Sequence, residues 1–416
     1  MCLPILYCFT CILIAICEAK NHNQNPSDAS LVPLGMYPNN NGKSPLVAAT
    51  YYFNPTSQLK KEPLFAENIE TNDNDIQEQD ICQAADGRKG SCYEATECVN
   101  RGGMPMGRCH SSRSIAAVCC LFEITCGESS SEQFVYFRNP NFPRSYDNPR
   151  ICRVRIGKKS KNICQYKLDL LTLNLAPPNY GNCSQDVFII SGQNENHVIP
   201  KICGSNSGQH YYFGVDESGV VSLHMLLLSS YKRRFDIFIT QIPCGSETLA
   251  PSHCLQYYTG TYGVIKSFNY DSPFLESDSS TGYPNDIDYI MCIKKESGFC
   301  SISYDLSSNG DGISPFAVGS SSETEKSLWR PIVAQCRDDY LTIGGIRLCS
   351  GKLNGHPYEE QLESLSRQDT TILNATLAYP TVITDTTPGP FVIRFVSNNA
   401  NNARGFNLTY RQNPCK

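Results

Sequence analysis

The sequence has little of what catalysis leaves behind. It contains no HExxH pair, no GxSxG elbow, and neither the Ala-Ala-His-Cys nor the Gly-Asp-Ser-Gly-Gly context. Those absences exclude the zinc-protease, α/β-hydrolase and trypsin-like signatures, so no enzyme is expected. The seven histidines are scattered, and a lone histidine is most often a surface or satisfied core residue. Basic excess is also lacking. A net charge of −5 over 416 residues excludes a generally basic nucleic-acid binder. Beyond Lys20 no apolar run reaches the roughly 20 residues of a spanning helix, and the C-terminal RQNPCK is no anchor signal. No membrane anchor is expected, and long amphipathic helical patterns are missing.

Cysteine is abundant instead. The run from Leu3 to Cys17, followed by Glu18, Ala19 and Lys20, reads as a signal peptide over 1–19, with Cys17 and Ala19 at the −3 and −1 positions of a cleavage site. Four of the 22 cysteines, Cys2, Cys8, Cys11 and Cys17, lie in that segment, leaving an even eighteen. In an oxidising compartment such a set is most simply nine disulfides, which predicts a secreted, extracellular protein. Residues 20–80 are Asn-rich and acidic, ending in Glu67, Glu70, Asp73, Asp75, Glu78 and Asp80, and are expected to be a disordered linker.

Six cysteines follow between Cys82 and Cys120, in a segment, 81–121, too short to bury a sufficient core. Zinc is the competing use of such cysteines, but CxxC pairs are absent and the only nearby histidine is His110. The remaining twelve split into two sets with a repeated order of features. Each unit opens on a cysteine (Cys126, Cys254) and reaches a second after an aromatic strand (Cys152, Cys292). A third heads an alternating strand, CQYKLDL at Cys164 and CSISYDL at Cys300. A Cys-acidic-apolar strand closes on another cysteine, Cys183 to Cys203 and Cys336 to Cys349, and a final strand ends at Pro-Cys, Cys244 and Cys415. Strands of period two, such as Phe235, Ile237 and Ile239 against Asp236 and Thr240, predict antiparallel sandwiches. The expected fold is all-β: two tandem antiparallel β-sandwiches behind a small disulfide knot.

Two resemblances sharpen this reading. Gly90-Ser91-Cys92, the five-residue gap to Cys98 and the closing Cys119-Cys120 resemble the clip-domain knots of arthropods. That resemblance implies Cys82 with Cys119, Cys92 with Cys109 and Cys98 with Cys120. The Cys-x-x-Asp-apolar strand, the Ile-Cys-Gly close and the Arg-Arg-Phe or Arg-Gly-Phe strand resemble CUB domains, over 126–244 and, more loosely, 254–415, where the insert from Asp305 to Gln335 is long. The whole arrangement is similar to secreted arthropod, or insect, CUB-domain proteins. The CUB resemblance implies a jelly-roll-like sandwich with Cys126–Cys152, Cys183–Cys203, Cys254–Cys292 and Cys336–Cys349 pairs, and leaves Cys164–Cys244 and Cys300–Cys415.

Many CUB domains hold calcium through a Glu and two Asp residues. Only the middle ligand survives here, as Asp186 and Asp339; Ala176 stands at the Glu position, Ser229-Ser230 at the later Asp position, and Asn398 near it in the second unit. One carboxylate per unit is poor provision for a hard dication, so no metal or other cofactor is expected and a loop hydrogen bond is the expected role of the aspartate. From Arg150 to Lys161, alternation places Cys152, Val154 and Ile156 inward and Arg153 and Arg155 outward, followed by Lys158 and Lys159. The stripe is a candidate polyanion or acidic-partner site; a solubilising edge strand is the other reading. Sequons at Asn182, Asn374 and Asn407 fit the secretory route, with Asn374 the best acceptor. The expected function is a non-catalytic binding or scaffold protein for an extracellular protein or glycan. A non-catalytic protease-cascade regulator and a secreted venom component are the alternatives.

Overall fold

The computed structural model describes residues 81–109, 116–195, 198–216, 219–272, 282–306, 315–319, 336, 338–349, 353, 382–400 and 402–415. The expected signal peptide and linker, Asn374, His110 and most of the insert between Asp305 and Gln335 lie outside them.

The knot is a four-stranded sheet, in the order β1-β2-β4-β3, of β1 (Ile81–Gln83), β2 (Lys89–Glu94), β3 (Met104–Arg108) and β4 (Ala117–Leu121), with one short helix, α1 (Ala95–Asn100). Disulfides Cys82–Cys119, Cys92–Cys109 and Cys98–Cys120 occupy its centre. They stand where a larger domain would have a core.

The first sandwich uses β5 (Glu123–Ile124), β6 (Ser129–Ser130), β7 (Phe134–Arg138), β8 (Arg150–Ile156), β9 (Ile163–Asn174), β10 (Asp186–Ser191), β11 (His210–Gly214), β12 (Val221–Leu227) and β13 (Arg234–Pro243). One sheet runs β10-β12-β8-β6 and the other β11-β9-β13-β7-β5. Cys152, Val154 and Ile156 from the first sheet meet Tyr166, Leu168, Leu170, Phe235, Ile237 and Ile239 from the second, all fully buried. The pairing of β9 with β13 shifts register twice, once opposite Ile242 and Pro243 and once at the middle of the strand. A bulge opposite Asp236 and Ile237 lets Leu170 and Leu173 both enter the core while Leu171 stays exposed.

The second sandwich pairs β14 (Gln256–Tyr258), β16 (Asp288–Ile293), β22 (Phe391–Val396), β19 (Tyr340–Ile343) and β20 (Ile346–Leu348) against β15 (Tyr262–Lys266), β23 (Gly405–Pro414), β17 (Phe299–Leu306) and β21 (Ile383–Asp385), with β18 (Phe316–Ala317) on β23. Disulfides Cys126–Cys152, Cys164–Cys244 and Cys183–Cys203 in the first sandwich stand at the same landmarks as Cys254–Cys292, Cys300–Cys415 and Cys336–Cys349 in the second.

The two cores are continuous. Phe268 of the second sandwich stacks on Tyr211 of the first at 5.3 Å and tilts against Tyr289 at 4.8 Å. Around it, Tyr212 N donates to Leu255 O (2.7 Å) and Gln209 Nε2 to Ser267 O (3.0 Å). Asn269 N donates to Asn206 Oδ1 (2.8 Å), and Asn269 Oδ1 accepts from Ser205 N (2.9 Å). Gly204 is obligatory at this contact. Its φ is +78° and a Cβ there would lie 1.8 Å from Asn269 Oδ1.

Candidate functional site

Strand β8 divides its residues between two environments, as its alternation requires. Cys152, Val154 and Ile156 are buried, whereas Ile151 is 67% exposed and Arg153 and Arg155 point to solvent. Cross-strand register extends this outer face over Ser222, His224 and Leu226 of β12 and Val187, Ile189 and Ser191 of β10. Leu228, just beyond β12, is 62% exposed. The result is a flat face with two arginines beside Ile151, Leu226 and Leu228. Strand β8 is not an edge strand, which corrects one of the two readings of the stripe: β12 pairs along one side and β6 along the other, with Arg155 N donating to Glu128 O (3.2 Å) and Gly127 N to Arg153 O (2.8 Å).

Arg153 Nη2 donates to Ser222 Oγ (2.9 Å), and Ser191 Oγ lies 3.0 Å from His224 Nε2. Burial first, then the Arg153 charge, lowers the His224 pKa. This serine–histidine contact is a diagonal cross-strand bond. Among the described residues no carboxylate orients the ring, as nucleophile activation requires.

Lys158 and Lys159 leave the stripe. The Lys158 stem covers Gly219, and Lys159 Nζ bonds to Glu132 (2.7 Å) and to the Tyr93 hydroxyl. Glu132, 7% exposed, also accepts from Tyr93 (2.8 Å) and Arg101 (3.1 Å), joining the knot to the first sandwich. Burial works against the Glu132 charge, but Lys159, Tyr93 and Arg101 hold its carboxyl below the ordinary value. A second latch runs from Arg88 through Glu123 to Arg138, whose guanidinium grips Asp236 at 3.0 Å with both prongs. Between the latches Phe134, Tyr136 and Phe238, outward-facing on the second sheet, are buried under the knot. Aromatic residues at those outward positions were the available signal for a covering module.

At the calcium-type positions the expected loop hydrogen bond describes only part of what is present. Asp186 is fully buried against Arg233, also fully buried: Nε reaches Oδ2 and Nη2 reaches Oδ1, both at 3.0 Å. Ala176 N donates to Oδ2 (3.0 Å) and Ser229 Oγ to Oδ1 (3.2 Å). Arg233 was legible in principle, since it shares the inward parity of Phe235, Ile237 and Ile239. In the second sandwich Asp339 accepts from the Tyr283 hydroxyl and from Asn398 N (2.7 Å), and Gly319 N donates to Tyr283 Oη (2.8 Å). Burial raises the Asp339 pKa and those bonds partly offset it. The residues present fit no calcium ion at Asp186, because protein donors occupy both of its oxygens twice over, whereas Asp339 accepts one bond at each oxygen among the described residues. The other groupings with metal-ligand spacing, Cys82-Cys92-Cys109 and His253-Cys254-Cys292, draw on cysteines committed to disulfides.

The sequons separate by exposure. Asn182 is exposed beside Cys183. Asn407 is 3% exposed inside β23 and cannot carry a glycan in this fold, which corrects its candidacy.

Residues 251–413 match the family model of the animal CUB domain. No curated protein sequence matches the chain. Among solved structures, the CUB1-EGF-CUB2 domains of rat MASP-1 are similar at 16% identity, with 70% of this chain and 99% of that chain covered and a TM-score of 0.23. The corresponding human MASP-1/3 domain gives 18% identity, 68% and 100% coverage and a TM-score of 0.23. The full extracellular region of zebrafish Gpr126/Adgrg6 gives 12%, 48% and 22%, with 0.25. Likeness at these TM-scores carries no functional argument.

Proposed function

We propose that this CUB-domain protein is a secreted, non-catalytic extracellular binding or scaffold protein that recognises an anionic partner, protein or glycan, through the outer face of its first sandwich. One observation carries the reading: Arg153 and Arg155 stand beside exposed Ile151 and Leu228 and half-buried Leu226 on one fixed sheet. On a molecule of net charge −5, such a face orients an approaching acidic partner, and its apolar flank gives the partner surface to bury. The organisation that goes with it is a signal peptide over 1–19, a linker over 20–80, a clip-like knot over 81–121 and CUB domains over 126–244 and 254–415, with glycans at Asn374 and exposed Asn182.

Heparin serves as a defined polyanion probe. The wild-type protein is expected to elute from heparin at clearly higher salt than Arg153→Glu/Arg155→Glu, whose substituted side chains stand on the outer face of the sheet. Identical elution of the two would remove the reading.

A further inference from the structure

We infer that Arg233 is a built-in cation: its guanidinium takes over the role of a metal ion at Asp186 and makes that end of the first sandwich independent of calcium. The geometry is that of a coordination centre made entirely of protein. Beyond its two bonds to Asp186, Nη2 donates to Ser229 O (2.6 Å) and contacts Ser229 Oγ (3.0 Å), while Nη1 reaches Asn148 O (3.4 Å). The Arg233 backbone exchanges two hydrogen bonds with Tyr146, N to O at 3.0 Å and the reverse at 2.8 Å. Arg233 therefore joins the 146–148 segment before β8, the head of β10 and the segment after β12, and Asp186 extends the junction to the Ala176 amide.

A calcium ion at the same carboxylate is excluded by chemistry rather than by space alone. Calcium collects 6–8 oxygens, and both Asp186 oxygens are already taken by the guanidinium fork. The Ala176 amide points a proton at Oδ2, where a metal ligand would have to be an oxygen. Planar, permanently charged and bidentate, arginine matches a carboxylate in a way that neither lysine nor a hydrated ion does here. A buried carboxylate left without that partner is strongly destabilising.

Hydrogen–deuterium exchange on the intact protein tests this locally. In the wild type, peptides covering 172–190 and 224–236 should exchange at the same rate in millimolar calcium chloride and in EGTA. Calcium-dependent protection of those peptides would overturn the inference. Arg233→Met should lose about 100-fold in protection of the same peptides, and Asp186→Asn/Arg233→Met should regain most of it because both charges are gone. Unchanged protection in the single variant, or no recovery in the double, would also overturn it. Should the single variant fail to fold, the wild-type comparison decides alone.

Discussion

Phe268→Ala is expected to cost about 3–5 kcal/mol, the range for deleting a fully buried aromatic ring. The loss falls on two sandwiches at once, because Phe268 touches Tyr211 of the first and Tyr289 of the second. The surrounding bonds cannot hold the junction closed by themselves. Asn269, Asn206 and Gln209 are all buried, and once water enters the vacated space their mutual hydrogen bonds compete with hydrogen bonds to solvent, leaving only about 1 kcal/mol each. Calorimetry should therefore show one joint transition of the sandwiches in the wild type and two separated transitions in the variant. A variant melting within a degree or so of wild type, in a single transition, would show that the sandwiches are stable independently and that the junction contributes little.

Acidification is the second large effect, and it acts at the same junction. His210 Nε2 accepts a hydrogen bond from Tyr257 N (3.0 Å), which requires an unprotonated nitrogen. Burial, with the Lys167 charge acting in the same direction, lowers the His210 pKa to about 3, and the rings of Tyr212 and Tyr258 enclose it. The unfolded chain takes up the proton near 6.5, the folded chain only near 3. Between those values the unfolded state binds more protons, so stability is complete above about pH 6.5 and declines as the pH falls toward 3. After a discount for its partial exposure, the loss at pH 4 is on the order of 2–3 kcal/mol. Guanidinium unfolding at pH 7 and pH 4 should show this loss in the wild type and about 2 kcal/mol less of it in His210→Gln, whose amide oxygen accepts the same bond. Equal pH dependence in both proteins would contradict the assignment.

The sandwich architecture is legible because period-two patterning survives wherever one face of a strand is solvated. Cys152, Val154 and Ile156 against Arg153 and Arg155 is the clearest case, and burial follows it residue by residue. Patterning fails where both faces are covered. Strand β13 is buried almost along its whole length, since the knot lies over Phe238 on the face that alternation leaves to solvent. Lys159 misleads for a related reason. Its position after a run of outward arginines implies a solvent-facing charge, but the chain leaves the strand at Gly157 and carries Lys159 to Glu132 under the knot. At the calcium-type position the sequence shows a missing ligand. That Arg233 and not Arg234 turns inward follows from strand parity, but its meeting with Asp186 depends on the pairing of sheets, which local pattern does not contain.

The surface assigned to recognition lies on a sheet braced on its inner face by the core and held in place by disulfides, so its partner should meet it without rearrangement. Site-specific photo-crosslinking of the protein added to an extracellular fluid addresses that surface. A crosslinker at Ile189 or Leu226, on the outer face of the first sandwich, should trap a discrete partner that is lost when Arg153→Glu/Arg155→Glu is added, while one at Tyr262, 65% exposed on the second sandwich, should not. Trapping at Tyr262 that persists in the charge-reversed protein, with none at Ile189 or Leu226, would contradict recognition through the first sandwich.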